Sequence, residues 1–230
     1  MNTPLRMWSW PVALATGVLA GAAMAGPRVT ETADALARGD CELEAAASRE
    51  SSSGTPAVRT VEAILGCGVG GNTQLGLGWA RATLAGLHAD GVGLLGKTTV
   101  VAPDAGRTGW AVAYSLLAFK APGDSFKSEE LAVAAVATRE LLPGWLGHAN
   151  LGWSHSRSSK QNSAVWSLGE ESTADLSLAA DVFGDDRSKP WVSAGVGYTL
   201  GGGVSASVSY ALQLDKPKIR VFTLGAKFAF

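Results

Sequence analysis

The sequence is poor in charge, poor in reactive side chains and short of long apolar runs. Only 17% of its 230 residues are charged, and the formal net charge is −1. No basic surface for nucleic acid follows from that balance. Two cysteines and three histidines leave no His/Cys spacing that would hold a metal, and no cofactor is expected. Beyond residue 25 no apolar run reaches the roughly 18 residues of a membrane helix. Yet 47% of the chain is hydrophobic, which excludes disorder, and 29 residues are glycine. High apolar content without a spanning helix fits strands that alternate in polarity.

Residues 1–25 carry one arginine, Arg6, then an apolar run from Trp10, then Ala23, Met24 and Ala25. That order predicts a secretory signal peptide with cleavage after Ala25. Residues 26–40 are polar and alanine-rich, and are expected to form a loose periplasmic segment with a helical turn over 31–37. Residues 41–230 are expected to form the barrel described next.

The final stretch, RVFTLGAKFAF, places Phe222, Leu224, Ala226, Phe228 and Phe230 at alternate positions. A period of two gives a strand with two different faces. The same rhythm recurs in twelve segments, at 41–48, 58–67, 73–84, 92–101, 110–118, 131–141, 145–155, 164–170, 175–183, 191–199, 204–212 and 220–230. Most approach the 9–11 residues that a tilted strand needs to cross a bilayer. Compact connections such as GVGGN, LPG and LGGG interleave with longer polar ones such as SRESSSGTP and APGDSFKSEE. Short turns on one side and longer loops on the other are the pattern of outer-membrane barrels. The predicted fold is all-β: a transmembrane antiparallel up-and-down β-barrel of about 12 strands in the outer membrane of a Gram-negative bacterium. Its partners would be outer-membrane lipid and, through the C-terminal strand, the barrel-assembly machinery.

The aromatic residues give a check independent of periodicity. On the outward face, Trp79, Trp153, Trp166, Tyr210 and Phe222 fall near the loop side. Trp110, Trp145, Tyr198, Phe228 and Phe230 fall near the turn side. Two aromatic girdles flanking an aliphatic band are what a lipid-facing wall requires. A sandwich core would place its bulkiest side chains in mid-strand instead.

Cys41 and Cys67 stand equidistant from the centre of the first hairpin, near residue 54. Symmetric positions on an antiparallel hairpin face one another, and the periplasm is oxidising, so a disulfide is expected.

The inward positions are mixed. Glu42, Glu44, Glu62, Glu171, Asp175 and Asp181 are acidic, and Lys97 and Lys227 are basic. Gln74, Thr99, His148, Asn150, Ser154, Ser167, the Ser205, Ser207, Ser209 row and Thr223 complete the face. Charges cannot lie unpaired in a dry interior, so the lumen is either wet or tightly paired. The expected function is a narrow, mildly acidic channel or transporter for small solutes, not an enzyme. Two alternatives stay open. One is a structural barrel with a closed lumen. The other is a lipid hydrolase using His155 in the run Trp153, Ser154, His155, Ser156, which would need a nucleophile and an orienting group within hydrogen-bond reach.

Several stretches carry a resemblance. GDCELEAA, LGCGVGGNTQLGLGWA, LLGKT, DVFGDDRSKP and VFTLGAKFAF resemble small proteobacterial outer-membrane barrels, named as transporters or grouped with barrels of a MetA-pathway for phenol degradation. The resemblance spans residues 40–230. It implies the fold and the outer membrane, gives no catalytic residues, and assigns no aromatic solute.

Overall fold

The computed structural model describes residues 27–230. The expected signal peptide, 1–25, lies outside the described residues. Twelve strands follow in order: β1 (Cys41–Ser51), β2 (Val58–Gly70), β3 (Thr73–Leu84), β4 (Leu87–Val101), β5 (Gly109–Lys120), β6 (Lys127–Leu142), β7 (Trp145–Ser156), β8 (Gln161–Ser172), β9 (Leu176–Asp185), β10 (Trp191–Gly201), β11 (Val204–Gln213) and β12 (Arg220–Ala229). Each pairs with its neighbours, and β1 pairs antiparallel with β12, so the sheet closes. Closure satisfies every strand without an edge, the condition for spanning a bilayer, where no water replaces a missing backbone partner. The last pair is tight: Cys41 N–H donates to the Phe230 carbonyl at 2.8 Å, and Phe230 N–H to the Cys41 carbonyl at 2.9 Å.

The strands run longer than alternation alone delimits. The stretch AGLHADG, read as a loop, is mostly strand: Thr83 faces His88 and Arg81 faces Asp90 across a two-residue turn. Ala85 and Gly86 hold that turn at φ 50° and 85°, a pair of left-handed residues that matches strand twist. Polar residues at hairpin tips hid the pairing, because the ladder there extends beyond the apolar band.

The faces follow the predicted parity. Leu77, Leu94, Leu151, Leu168 and Leu224 are exposed on the outside. Glu62, Lys97, Thr99, Thr138, His148, Ser167, Asp181 and Ser193 are buried on the inside. The first hairpin pairs Cys41 with Cys67, and the two form the expected disulfide with Cα atoms 4.1 Å apart.

Candidate functional site

The lumen is not empty. Residues 27–40 run along its inner wall, passing strands in descending order from β10 to β2. This corrects the reading of a loose segment with a helical turn: among these residues there is no helix, and their backbone is held by the wall. Val29 and Thr30 donate their N–H groups to the Asp181 carboxylate on β9, at 3.1 and 3.0 Å. The Asn150 amide on β7, turned so that both its atoms are satisfied, accepts the Glu31 N–H at 2.8 Å and donates to the Glu31 carbonyl at 3.2 Å. Ala33 donates to Thr138 Oγ1 on β6 at 2.8 Å, and its carbonyl accepts from Thr99 Oγ1 on β4 at 2.6 Å. Leu36 N–H reaches Gln74 Oε1 on β3 at 3.1 Å. Gly39 N–H closes on the Gly68 carbonyl of β2 at 3.0 Å.

An extended segment offers unpaired donors and acceptors, and a polar inner wall supplies partners for them. Glycine makes room for it. A Cβ on Gly68 would collide with the Ala37 carbonyl, and one on Gly195 with the Pro27 carbonyl. Ala33 is fully buried against Ala111 and Val136.

The charges divide along this path. Arg28 pairs with Glu171, and His148 Nε2 lies 3.4 Å from the same carboxylate. Lys97 Nζ donates to Glu31 Oε1 at 2.8 Å. Lys227 lies 3.3 Å from Glu42 and 4.0 Å from Glu44. Burial on its own would raise the Glu31 carboxyl, but Lys97, its hydrogen bond and Arg28 outweigh that and hold it below the ordinary carboxylate value.

Nine of the ten inward site residues expected from sequence line the lumen or bond within it. Asp175 does not. It is exposed in the turn before β9, where its carbonyl accepts from Thr199 N–H at 2.8 Å. Strand parity projected past the start of β9 placed it inside, but the strand begins one residue later.

Beside the segment lies a cavity of about 640 Å³, lined by residues of all twelve strands. Eight carboxylates border it against three cations, Arg28, Lys97 and Lys227. Sequence reasoning missed five of those acids, Asp185 at the end of β9 among them. Glu50 lies on β1 two residues beyond the segment assigned to it, so extending the parity would have found it. Glu130 follows an extra residue, Glu129, that shifts the β5–β6 register and breaks the alternation. Glu31 and Asp34 stand in the inserted segment and leave no periodic signal. An apolar stretch of inner wall was also missed: Leu95 folds over Gly78 beside Ile64, and Leu117 packs with Ala80 and Phe119.

On the outside, Trp79, Trp110, Trp153, Tyr198, Tyr210, Phe222, Phe228 and Phe230 are exposed, and Trp145 and Trp166 are half-buried. The Arg81 guanidinium sits 5.8 Å from the Trp79 ring centroid. His155 stacks on Trp153, and its Nδ1 lies 2.9 Å from Asn162 Oδ1. Ser156, the next residue, donates its hydroxyl to Glu129 Oε1 at 2.9 Å.

Three solved structures share this architecture. The KdgM porin, in complex with disordered oligogalacturonate, superposes with a TM-score of 0.63 at 6% identity, covering 82% of this chain and 99% of that one. The COG4313 outer-membrane channel from Pseudomonas putida F1 gives 0.61 at 10% identity, covering 86% and 97%. The NanC porin gives 0.60 at 9% identity, covering 81% and 98%. The fold is thus that of Gram-negative outer-membrane channels. No curated protein matches the sequence. Residues 12–230 match the family described as "Uncharacterised conserved protein UCP029691".

Proposed function

We propose that this chain, which belongs to the family described as "Uncharacterised conserved protein UCP029691", is an outer-membrane channel passing small solutes through a narrow, acidic lumen. One observation carries the reading: a closed barrel holds a cavity of about 640 Å³ whose lining includes eight carboxylates against three cations. A dry structural barrel has no need of so many charged inner groups, each costly to bury without water or a partner. Twelve strands leave more room than the eight that side chains fill, and residues 27–40 take up part of it. That segment makes the channel narrow, and the excess of carboxylates makes it acidic.

The outer face would meet lipid through its leucine band and aromatic rims, and the β12 strand ending at Phe230 would address the chain to the barrel-assembly machinery. Conductance of the refolded chain from residue 26 onward in a planar bilayer tests the function, compared with a chain lacking residues 27–40. Steady conductance with a reversal potential on the cation side is expected, and a larger unit conductance after truncation. Folded protein that conducts in neither form would overturn the channel and favour a closed structural barrel.

A further inference from the structure

Within that channel, and resting on it, we infer that Glu62 forms a binding site for organic cations: solutes with an ammonium group on an apolar body. Glu62 projects from β2 and lines the cavity. It is only 8% exposed, and its Oε2 has no hydrogen-bond partner. The register explains why. Its direct neighbour is Ala46 on β1 and Ala80 on β3, so neither side offers a donor. The lumen's cations are engaged elsewhere: Lys97 with Glu31, Lys227 with Glu42 and Glu44, Arg28 with Glu171. A carboxyl in such a place either holds a proton or gives it up to face a cation that enters the cavity.

The surroundings select the kind of cation. Among the described residues no three acidic, His or Cys groups converge to hold a metal ion. A metal ion prefers several oxygen ligands, whereas an ammonium is satisfied by one carboxylate and a few acceptors. Ile64 continues the same face of β2, Leu95 folds over Gly78 beside it, and Ala80 packs against Leu117. That wall suits a hydrocarbon or aromatic body next to the charge. Glu130, 6% exposed, borders the same cavity from β6 and adds to a field that repels anions.

The test uses benzylammonium chloride, with neutral benzyl alcohol of the same shape as control. Binding is measured by equilibrium dialysis on the detergent-folded chain, and channel block is measured in planar bilayers. Benzylammonium is expected to bind and to block reversibly, with benzyl alcohol at least tenfold weaker. Glu62→Gln keeps shape and removes charge, and is expected to weaken benzylammonium binding about tenfold. Ser48→Lys supplies a tethered ammonium from a cavity-lining position diagonal to Glu62 on β1. It should lose binding while keeping the carboxylate. Asp175→Asn, in the exposed turn, should bind as the natural chain does. Equal binding by Glu62→Gln and the natural chain, or equal binding of benzyl alcohol, would overturn the site. Binding without conductance would sustain the site and overturn the channel.

Discussion

Lys97 Nζ stands 2.8 Å from Glu31 Oε1, so a wall strand neutralises its cation on a segment 66 residues earlier in the chain. The pair latches residues 27–40 to β4 near mid-path. Removing one partner leaves the other charged and poorly matched in the lumen, which costs more than the pair itself contributes.

Glu31→Gln is expected to loosen the segment by about 2 kcal/mol, the scale of a charged hydrogen bond. Amide hydrogen exchange at Ala33 should rise correspondingly, and unit conductance should increase. The barrel itself should keep its heat-modifiable gel migration. Unchanged exchange at Ala33 would mean that the pair does not hold the segment.

The same pair sets a pH dependence. Glu31 has its folded-state carboxyl held below the ordinary value of 4.5, mainly by the adjacent Lys97, with Arg28 adding to it, against the cost of burial. A depressed carboxyl stabilises docking above the ordinary value and stops doing so as pH falls through the lower, folded one. Protection of the Ala33 amide from exchange should therefore be constant from pH 7 to 5 and fall as pH drops below about 4.5. In Lys97→Gln the step should shrink, because Arg28 is then the remaining cation that favours the ionised form.

Asp181 anchors the start of the segment. Its carboxylate accepts from Val29 N–H, Thr30 N–H and Ser193 Oγ at 3.1, 3.0 and 3.2 Å. Asp181→Ala strands two backbone donors, each costing about 1–3 kcal/mol when buried without a partner. Residues 27–30 should detach and become open to protease from the periplasmic side. Asp181→Asn retains one acceptor oxygen and should show a smaller effect.

The Cys41–Cys67 disulfide closes a stretch of 26 residues spanning the first hairpin. Chain-entropy reasoning gives a stabilisation of about 3 kcal/mol for a loop of this size. Paired Cys41→Ser and Cys67→Ser substitutions should lower the urea midpoint of the refolded barrel. Exchange at Gly39 should rise too, because its N–H bonds the Gly68 carbonyl one residue beyond Cys67. An unchanged midpoint would show the closed barrel already confines this hairpin.

The wall of this protein was legible because each strand announces itself locally. Phe222, Leu224 and Phe228 alternate with Val221, Thr223 and Lys227, and a one-residue slip would turn every side chain to the wrong face. The Cys41–Cys67 contact was legible for the same reason: a hairpin places its symmetric positions together. Where local rhythm failed, so did the reading. The extra residue at Glu129 concealed Glu130, and the late start of β9 turned Asp175 out of the lumen.

Sequence by itself therefore determined the strand count, the two faces and the staple, since these follow from periodicities of two and from neighbours in the chain. Only the tertiary structure decided what fills the lumen. Thr30 meets Asp181 across 151 residues, and Lys97 meets Glu31 across 66. Alternation says which side a residue faces. It says nothing about what stands opposite across the barrel, and there the partners, the neutralised charges and the unpartnered carboxyl oxygen of Glu62 are set by closure of the sheet around an inserted segment.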